Sequence, residues 1–313
     1  MTRTYQKFAF TIGLATLTFG SINFYTTLAQ AFTLTNGSLD VTIRSDNGAI
    51  DGIMFDNQTF HSSDFFNSGI PVSDFGFQNG ADTSTFVRNT TTGFTQQLVD
   101  VTSTAESVVV TGTYTGGGAN LDFTRTYSLV NGVNALRIKT DFVNNGSAIA
   151  LRYFDTFDPD QGIDQGNGFQ TFNDILNLNT PAGNAIVGQA TELDGLTVVL
   201  GSLDANAIIS AGPDLSINTG SELNSLFSNP FDPNGTFADL GTHIGGIEFL
   251  LGDGATGSFE YLHGYGKSVE EAQQAFIKAT SVPEPSSCLG LLVVGALGTR
   301  SLIKRKKVKV LAR

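Results

Sequence analysis

Leu121-Asp122-Phe123-Thr124-Arg125-Thr126-Tyr127 and Leu136-Arg137-Ile138-Lys139-Thr140-Asp141-Phe142-Val143 decide the fold class of this chain. In both, apolar and polar side chains alternate, the period of two that sets one face of a strand on a core and the other in water. Val108-Val109-Val110-Thr111-Gly112-Thr113-Tyr114 and Leu39-Asp40-Val41-Thr42-Ile43-Arg44 repeat the pattern. Asn131-Gly132, between Val130 and Val133, and Asn145-Gly146, between Val143 and Ile149, are the residue pair that tight hairpin turns favour. An antiparallel meander over about 106–157 is therefore expected.

Working outward, further strands are expected near 184–188, 196–201, 206–211, 246–251 and 257–263. One ectodomain helix is expected, at 269–279. Ser268 can cap it, Glu271 would complete a capping box, and Val269, Ala272, Phe276 and Ala279 share a face. With 36 Gly, 25 Phe and only 15% charged residues, the composition is that of strands and tight turns rather than long surface helices. No internal linker or repeat interrupts the series. Residues 32–281 thus read as one all-β ectodomain, a large antiparallel β-sandwich of two packed sheets.

Charge is divided unevenly. The stretch from Asp40 to Glu284 holds all 29 acidic residues and eight basic ones, a formal charge of −21, while both ends are basic. Such a surface repels phosphate backbones, which excludes nucleic acid as a partner, and favours solubility, cations or basic partners. The single cysteine, Cys288, lies outside the ectodomain, so neither a disulfide framework nor a cysteine metal cage supports the fold.

The two ends carry addresses. Arg3 and Lys7 precede an apolar run from Phe8 to Phe19, and Ala29-Gln30-Ala31 closes the segment. Residues 1–31 have the make-up of a signal peptide, with small side chains at Ala29 and Ala31 suited to signal peptidase and cleavage expected before Phe32. At the other end, Val282-Pro283-Glu284-Pro285-Ser286-Ser287 leads into an apolar run from Cys288 to Leu297 and then Lys304-Arg305-Lys306-Lys307. The prolines break what precedes them, the apolar helix halts in the bilayer, and the basic cluster with the tail 308–313 stays cytoplasmic. Arg300 interrupts the apolar segment near its cytoplasmic end, where its stem can reach the interface.

Residues 282–307 resemble the PEP-CTERM sorting signal, in which Pro-Glu-Pro, a short membrane helix and a basic tail follow in that order. The resemblance implies recognition by an exosortase-type membrane protease and association with exopolysaccharide-producing surfaces. The run from Arg125 to Gly162, ending in Leu151-Arg152-Tyr153-Phe154-Asp155-Thr156-Phe157-Asp158-Pro159-Asp160-Gln161, resembles the super-sandwich domains typified by galactose mutarotase. That implies a shape. The paired His and Glu of the mutarotase sugar cleft are not placed on this sequence, so activity does not follow.

Within the ectodomain, Asp155, Asp158, Asp160 and Asp164 gather in a glycine-containing segment with Gln161 and Asn167. Clustered carboxylate and amide oxygens suit calcium, and the same residues equally serve a solvated acidic loop built on Asx turns. His61, His243 and His263 are scattered, with no second ligand at zinc spacing; acid–base work by His243 or His263 would need a carboxylate such as Glu248 or Glu260. No nucleophile-elbow, zincin or phosphate-loop motif is present, so no catalytic residue is assigned. There is no Trp and only seven Tyr, which weakens a lectin reading; Phe65-Phe66 and the Phe227 to Phe231 stretch are the candidates for exposed aromatic loops.

The expectation is an exported protein of the cell envelope or extracellular matrix, structural or adhesive and non-enzymatic, with extracellular polysaccharide the candidate partner. The alternative is a carbohydrate-active enzyme or sugar-binding sandwich. A cleft pairing a histidine with a carboxylate would favour the second, and a filled sandwich the first.

Overall fold

The computed structural model describes residues 31–61, 73–89, 100–161, 168–212 and 216–282. Most of the signal segment, the Pro283-Glu284-Pro285 motif, the apolar run and the basic tail lie outside these residues. Among the described residues eighteen strands form three antiparallel sheets. The first is the meander β1 (Ala31–Thr35), β2 (Leu39–Arg44), β3 (Ile50–Phe55) and β4 (Gln58–His61). The second has five strands in the order β15-β17-β11-β5-β6: β5 (Ser73–Asn79), β6 (Val87–Arg88), β11 (Ile149–Phe157), β15 (Ile208–Ala211) and β17 (Thr242–Leu251). The third has nine, in the order β16-β12-β13-β14-β18-β10-β9-β8-β7. Its members are β7 (Asp100–Ser103), β8 (Ser107–Tyr114), β9 (Leu121–Leu129), β10 (Ala135–Asn144), β12 (Thr171–Thr180), β13 (Gly183–Thr191), β14 (Thr197–Ser202), β16 (Thr236–Ala238) and β18 (Thr256–Gly266).

The large antiparallel β-sandwich is therefore present. Alternation along β9 and β10 turns Phe123, Arg125, Tyr127, Ile138 and Phe142 inward, where they meet Phe75 and Phe77 of β5 and Tyr153 of β11 in one buried cluster. Leu34, Val41, Ile43, Ile53 and Phe60 of the four-stranded sheet join the same core. Helices cover the outer faces. Helix α1 (Gly220–Ser228) sets Leu223 and Leu226 against Phe154 on the outside of the five-stranded sheet. Helix α2 (Val269–Ser281) lays Ala272, Phe276 and Ala279 on Leu262, Val199 and Val187, on the outside of the nine-stranded sheet. Gly264 lets that helix come close, because a Cβ there would stand 2.6 Å from the Ala272 carbonyl oxygen. Among the described residues no helix is long and apolar enough to cross a membrane.

Four local expectations change. Asn131-Gly132 does not make a two-residue turn; β9 and β10 are joined through residues 130–134, closed by the Val130 amide on the Ala135 carbonyl at 2.9 Å. Asn145-Gly146 is not a hairpin turn at all, since β10 pairs with β9 and β18 while β11 pairs with β5 and β17. It carries the chain from the nine-stranded sheet to the five-stranded one, and Gly146 is required by close approach: a Cβ would meet the Asn120 amide nitrogen at 2.6 Å. Ser268 caps α2 by accepting from the Glu271 amide at 3.2 Å, but the Glu271 carboxylate reaches past it to the Lys267 amide at 2.9 Å, so the box is not closed. Helix α1 was not expected, although Thr219 and Glu222 form a full capping box.

Candidate functional site

The strands bring charge into the sandwich at one place. Arg125 occupies an inward position of β9 between Phe123 and Tyr127 and is fully buried. Its Nη1 lies 2.6 Å from Asp155 Oδ2, contributed by β11 across the core. Arg125 donates to the phenols of Tyr127 (2.7 Å), Tyr153 and Tyr261 (3.1 Å), and its guanidinium stands 4.5 Å over the Phe75 ring. Tyr127 passes the chain of bonds on to the Gly48 carbonyl at 2.7 Å, and burial pushes its phenol up to about 12. Burial also raises the Asp155 carboxyl above the ordinary range, opposed by Arg125 and the phenols that bond it. A charge so enclosed persists because each of the three guanidinium nitrogens has a partner. The arrangement closes the interior between the sheets.

Asp155 is thus separated from the carboxylates it was grouped with in the sequence. Asp158 and Asp160, just beyond β11, instead meet Asp239, which follows β16; ligand oxygens of the three lie within 4.8 Å of one another. Asp158 and Asp160 are buried and Asp239 is exposed. Gln161, next in the chain, is buried and donates from Nε2 to the Ala190 carbonyl at 2.8 Å. Asp164 and Asn167 lie outside the described residues. Three carboxylates converging at a rim with a buried floor offer the hard oxygen donors that calcium takes. Asp239 was not foreseen: an isolated Asp in a loop carries no local signal, and only the pairing of β12 with β16 brings it here.

The histidines fall in different layers. His263 points into the core, its Nδ1 2.8 Å from the Tyr265 hydroxyl and its ring 4.9 Å from that of Phe157. Glu260 turns to the opposite face of the same strand and pairs with Arg137 at 3.1 Å, so it does not serve His263. His243 lies on the outer face of the five-stranded sheet in a cross-strand row: Asp74 opposite Thr156, Thr156 opposite His243, His243 opposite Ser210. Its Nδ1 is 3.0 Å from Thr156 Oγ1. Asp74 is buried, 3.8 Å from Arg88, and burial lifts its carboxyl well above the ordinary range. His243 also lines a cavity of about 150 Å³ with Ser210, Ser216, Glu222, Ser225 and Asn229. Glu222 is committed to the backbone amides of Asn218 and Thr219, at 2.5 and 3.2 Å, as the cap of α1. The sequence motif Thr219-x-x-Glu222 could have revealed that role, but not its nearness to His243. The side chains of His61 and Glu248, and all of Phe65-Phe66, lie outside the described residues. Phe227 stacks under Arg152 at 4.7 Å, and Phe231 is exposed.

The fold, a large sandwich flanked by helices, has counterparts among solved structures. A bacterial glucoamylase solved with acarbose aligns with a TM-score of 0.54 at 13% identity, over 81% of this chain and 36% of the glucoamylase. The chain therefore spans about a third of that protein's length, and at such identity the likeness is one of fold alone. Other similar structures are mutarotase-like: a putative aldose 1-epimerase from Escherichia coli K12 (TM-score 0.47, 12% identity, 75% of this chain and 97% of that one) and a galactose mutarotase-like protein from Lactobacillus casei ATCC 334 (0.46, 11%, 76% and 100%). No protein-family model matches the chain, and no curated protein matches its sequence.

Proposed function

We infer that this chain is an exported protein of the cell envelope or extracellular matrix, whose sandwich is a structural or adhesive module and not a catalyst. The observation that supports it best is the filled interior. The space between the sheets is taken by Arg125, bonded to Asp155, Tyr127, Tyr153 and Tyr261, and by the phenylalanines packed around them, all buried. The cavity that sets a histidine beside a carboxylate measures about 150 Å³, below the roughly 300–1,000 Å³ of pockets that hold small-molecule ligands. The two ends supply the address: a signal segment before Phe32, and Pro283-Glu284-Pro285 with its apolar run and basic cluster after Val282.

The test is to follow the chain in an exosortase-bearing, polysaccharide-producing bacterium, as wild type and with Pro283, Glu284 and Pro285 changed to alanine. The wild type is expected in the outer envelope and matrix fractions, and cells lacking it should retain less polysaccharide. The triple variant is expected to accumulate in the inner membrane. Equal distribution of the two would sink the sorting role, and unchanged polysaccharide retention without the protein would sink the adhesive one.

A further inference from the structure

The described part of the chain ends on a built anchor. Arg137 sits on the outer face of β10 and is buried, 5% exposed. Its Nη2 donates to two carbonyls at the end of α2, Ala279 at 3.0 Å and Val282 at 2.7 Å, and its Nε pairs with Glu260 of β18 at 3.1 Å. Carbonyls left over at a helix end are usually met by water or by the following residues. Here the sheet itself meets them, through a guanidinium held in turn by a neighbouring strand. Val282 is therefore tied to the nine-stranded sheet, and only Pro283 to Ser287, five residues, separate it from the apolar run that begins at Cys288.

Chain geometry then limits the sandwich. Fully extended, that link reaches about 20 Å, whereas a compact body of about 250 residues has a radius of gyration near 18 Å and is about 45 Å across. The tether is less than half the width of the body it holds, so the sandwich has no room to turn over. We propose that the outer face of the nine-stranded sheet, around the Arg137 anchor and α2, is the membrane-facing side of the molecule, and that the α1 side faces away. This rests on the reading of residues 288–307 as a membrane signal. The partner is the polar surface of the bilayer, met while the signal is uncut. The face offers it Lys278, Glu270 and Glu271, exposed on α2, and Lys139 and Asp141, which continue the outer side of β10.

The experiment uses the chain exported by its own signal and purified in detergent, with Cys288→Ser and one new cysteine bearing a fluorophore. Lys278→Cys marks the proposed near side, and Ser221→Cys, exposed on α1, the far side. Each is reconstituted into phosphatidylethanolamine and phosphatidylglycerol vesicles containing lipid spin-labelled at the headgroup. Quenching at least threefold stronger at position 278 than at 221 is expected, falling towards equality in Arg137→Ala. Should that variant unfold, Glu260→Gln, which removes only the ion pair, is expected to narrow the difference. Equal quenching in a chain that sediments with the vesicles overturns the orientation. A difference that survives Arg137→Ala in a folded chain overturns the anchor. A chain that does not sediment removes the membrane reading and the orientation with it.

Discussion

At the scale of single residues, buried carboxylates are where pH acts on this protein. Asp74 is held well above the ordinary carboxylate range by burial, with Arg88 only partly offsetting it. Between the ordinary value and the raised one the folded state binds a proton the unfolded chain has lost, so stability falls as pH rises through that window. Asp74→Asn lacks this loss. In thermal melts the variant should gain progressively on the wild type as pH rises above the ordinary carboxylate range; a constant difference would remove the assignment. Asp158, Asp160 and Asp239 make a second test. Calcium bound only by the native state, at a hundredfold excess over Kd, adds about 2.7 kcal/mol, or about 5–10 °C for a domain of this size. That rise is expected in calcium, should vanish in chelator, and should be absent in Asp158→Asn with Asp160→Asn. No shift in any of these leaves the cluster without a cation role.

Elements owe their positions to a few contacts that can be broken singly. Helix α1 is only nine residues long, too short to persist on propensity alone, and depends on the Thr219–Glu222 box and on Leu223 and Leu226 against Phe154. Thr219→Ala should cost about 1 kcal/mol, seen as a lower denaturant midpoint with an unchanged slope. Beneath α2 the sheet has no spare room. In Gly264→Ala the new methyl would crowd the Ala272 carbonyl and the Phe276 amide, at 2.6 and 2.7 Å. A loss of about 1–3 kcal/mol is expected from such overpacking, with faster hydrogen exchange in 269–281 than elsewhere. Uniform exchange would show that the helix does not rest on that contact.

For the whole molecule, the sealed pair of Arg125 and Asp155 is the test of what holds the sheets together. Asp155→Asn leaves Arg125 buried with its partner's charge gone, and a loss of about 3–5 kcal/mol is expected. Replacing the pair together, Arg125→Met with Asp155→Leu, should cost less than the single change; a double variant less stable than Asp155→Asn would mean that the pair contributes more than its desolvation costs. If the sandwich is not an epimerase, micromolar wild-type protein will leave the anomerisation rate of galactose and glucose at the buffer value, measured by polarimetry. Acceleration abolished by His243→Ala would reverse the reading of the cavity under α1.

Strand by strand, the sequence itself carries much of the fold. Period-two alternation fixes which side chains share a face, and so 39–44, 107–114, 121–129 and 135–144 form strands where the pattern placed them. The Ser268 cap and the apolar stripe likewise marked α2. β5 and β12 were hidden: Ser73–Asn79 has only Phe75 and Phe77 as large apolar residues, too few to set a period, and Thr171–Thr180 is rich in polar residues beside the sheet's edge strand. What local pattern does not contain is the partner. The meeting of Arg125 with Asp155, of Asp158 with Asp239, and of Asp74, Thr156, His243 and Ser210 in one row depends on which sheet each strand joins. Alternation and capping act over a few residues and are written in the chain. Sheet membership is settled by non-local burial, when the chain crosses at Asn145-Gly146 because packing two sheets face to face hides more apolar surface than extending one.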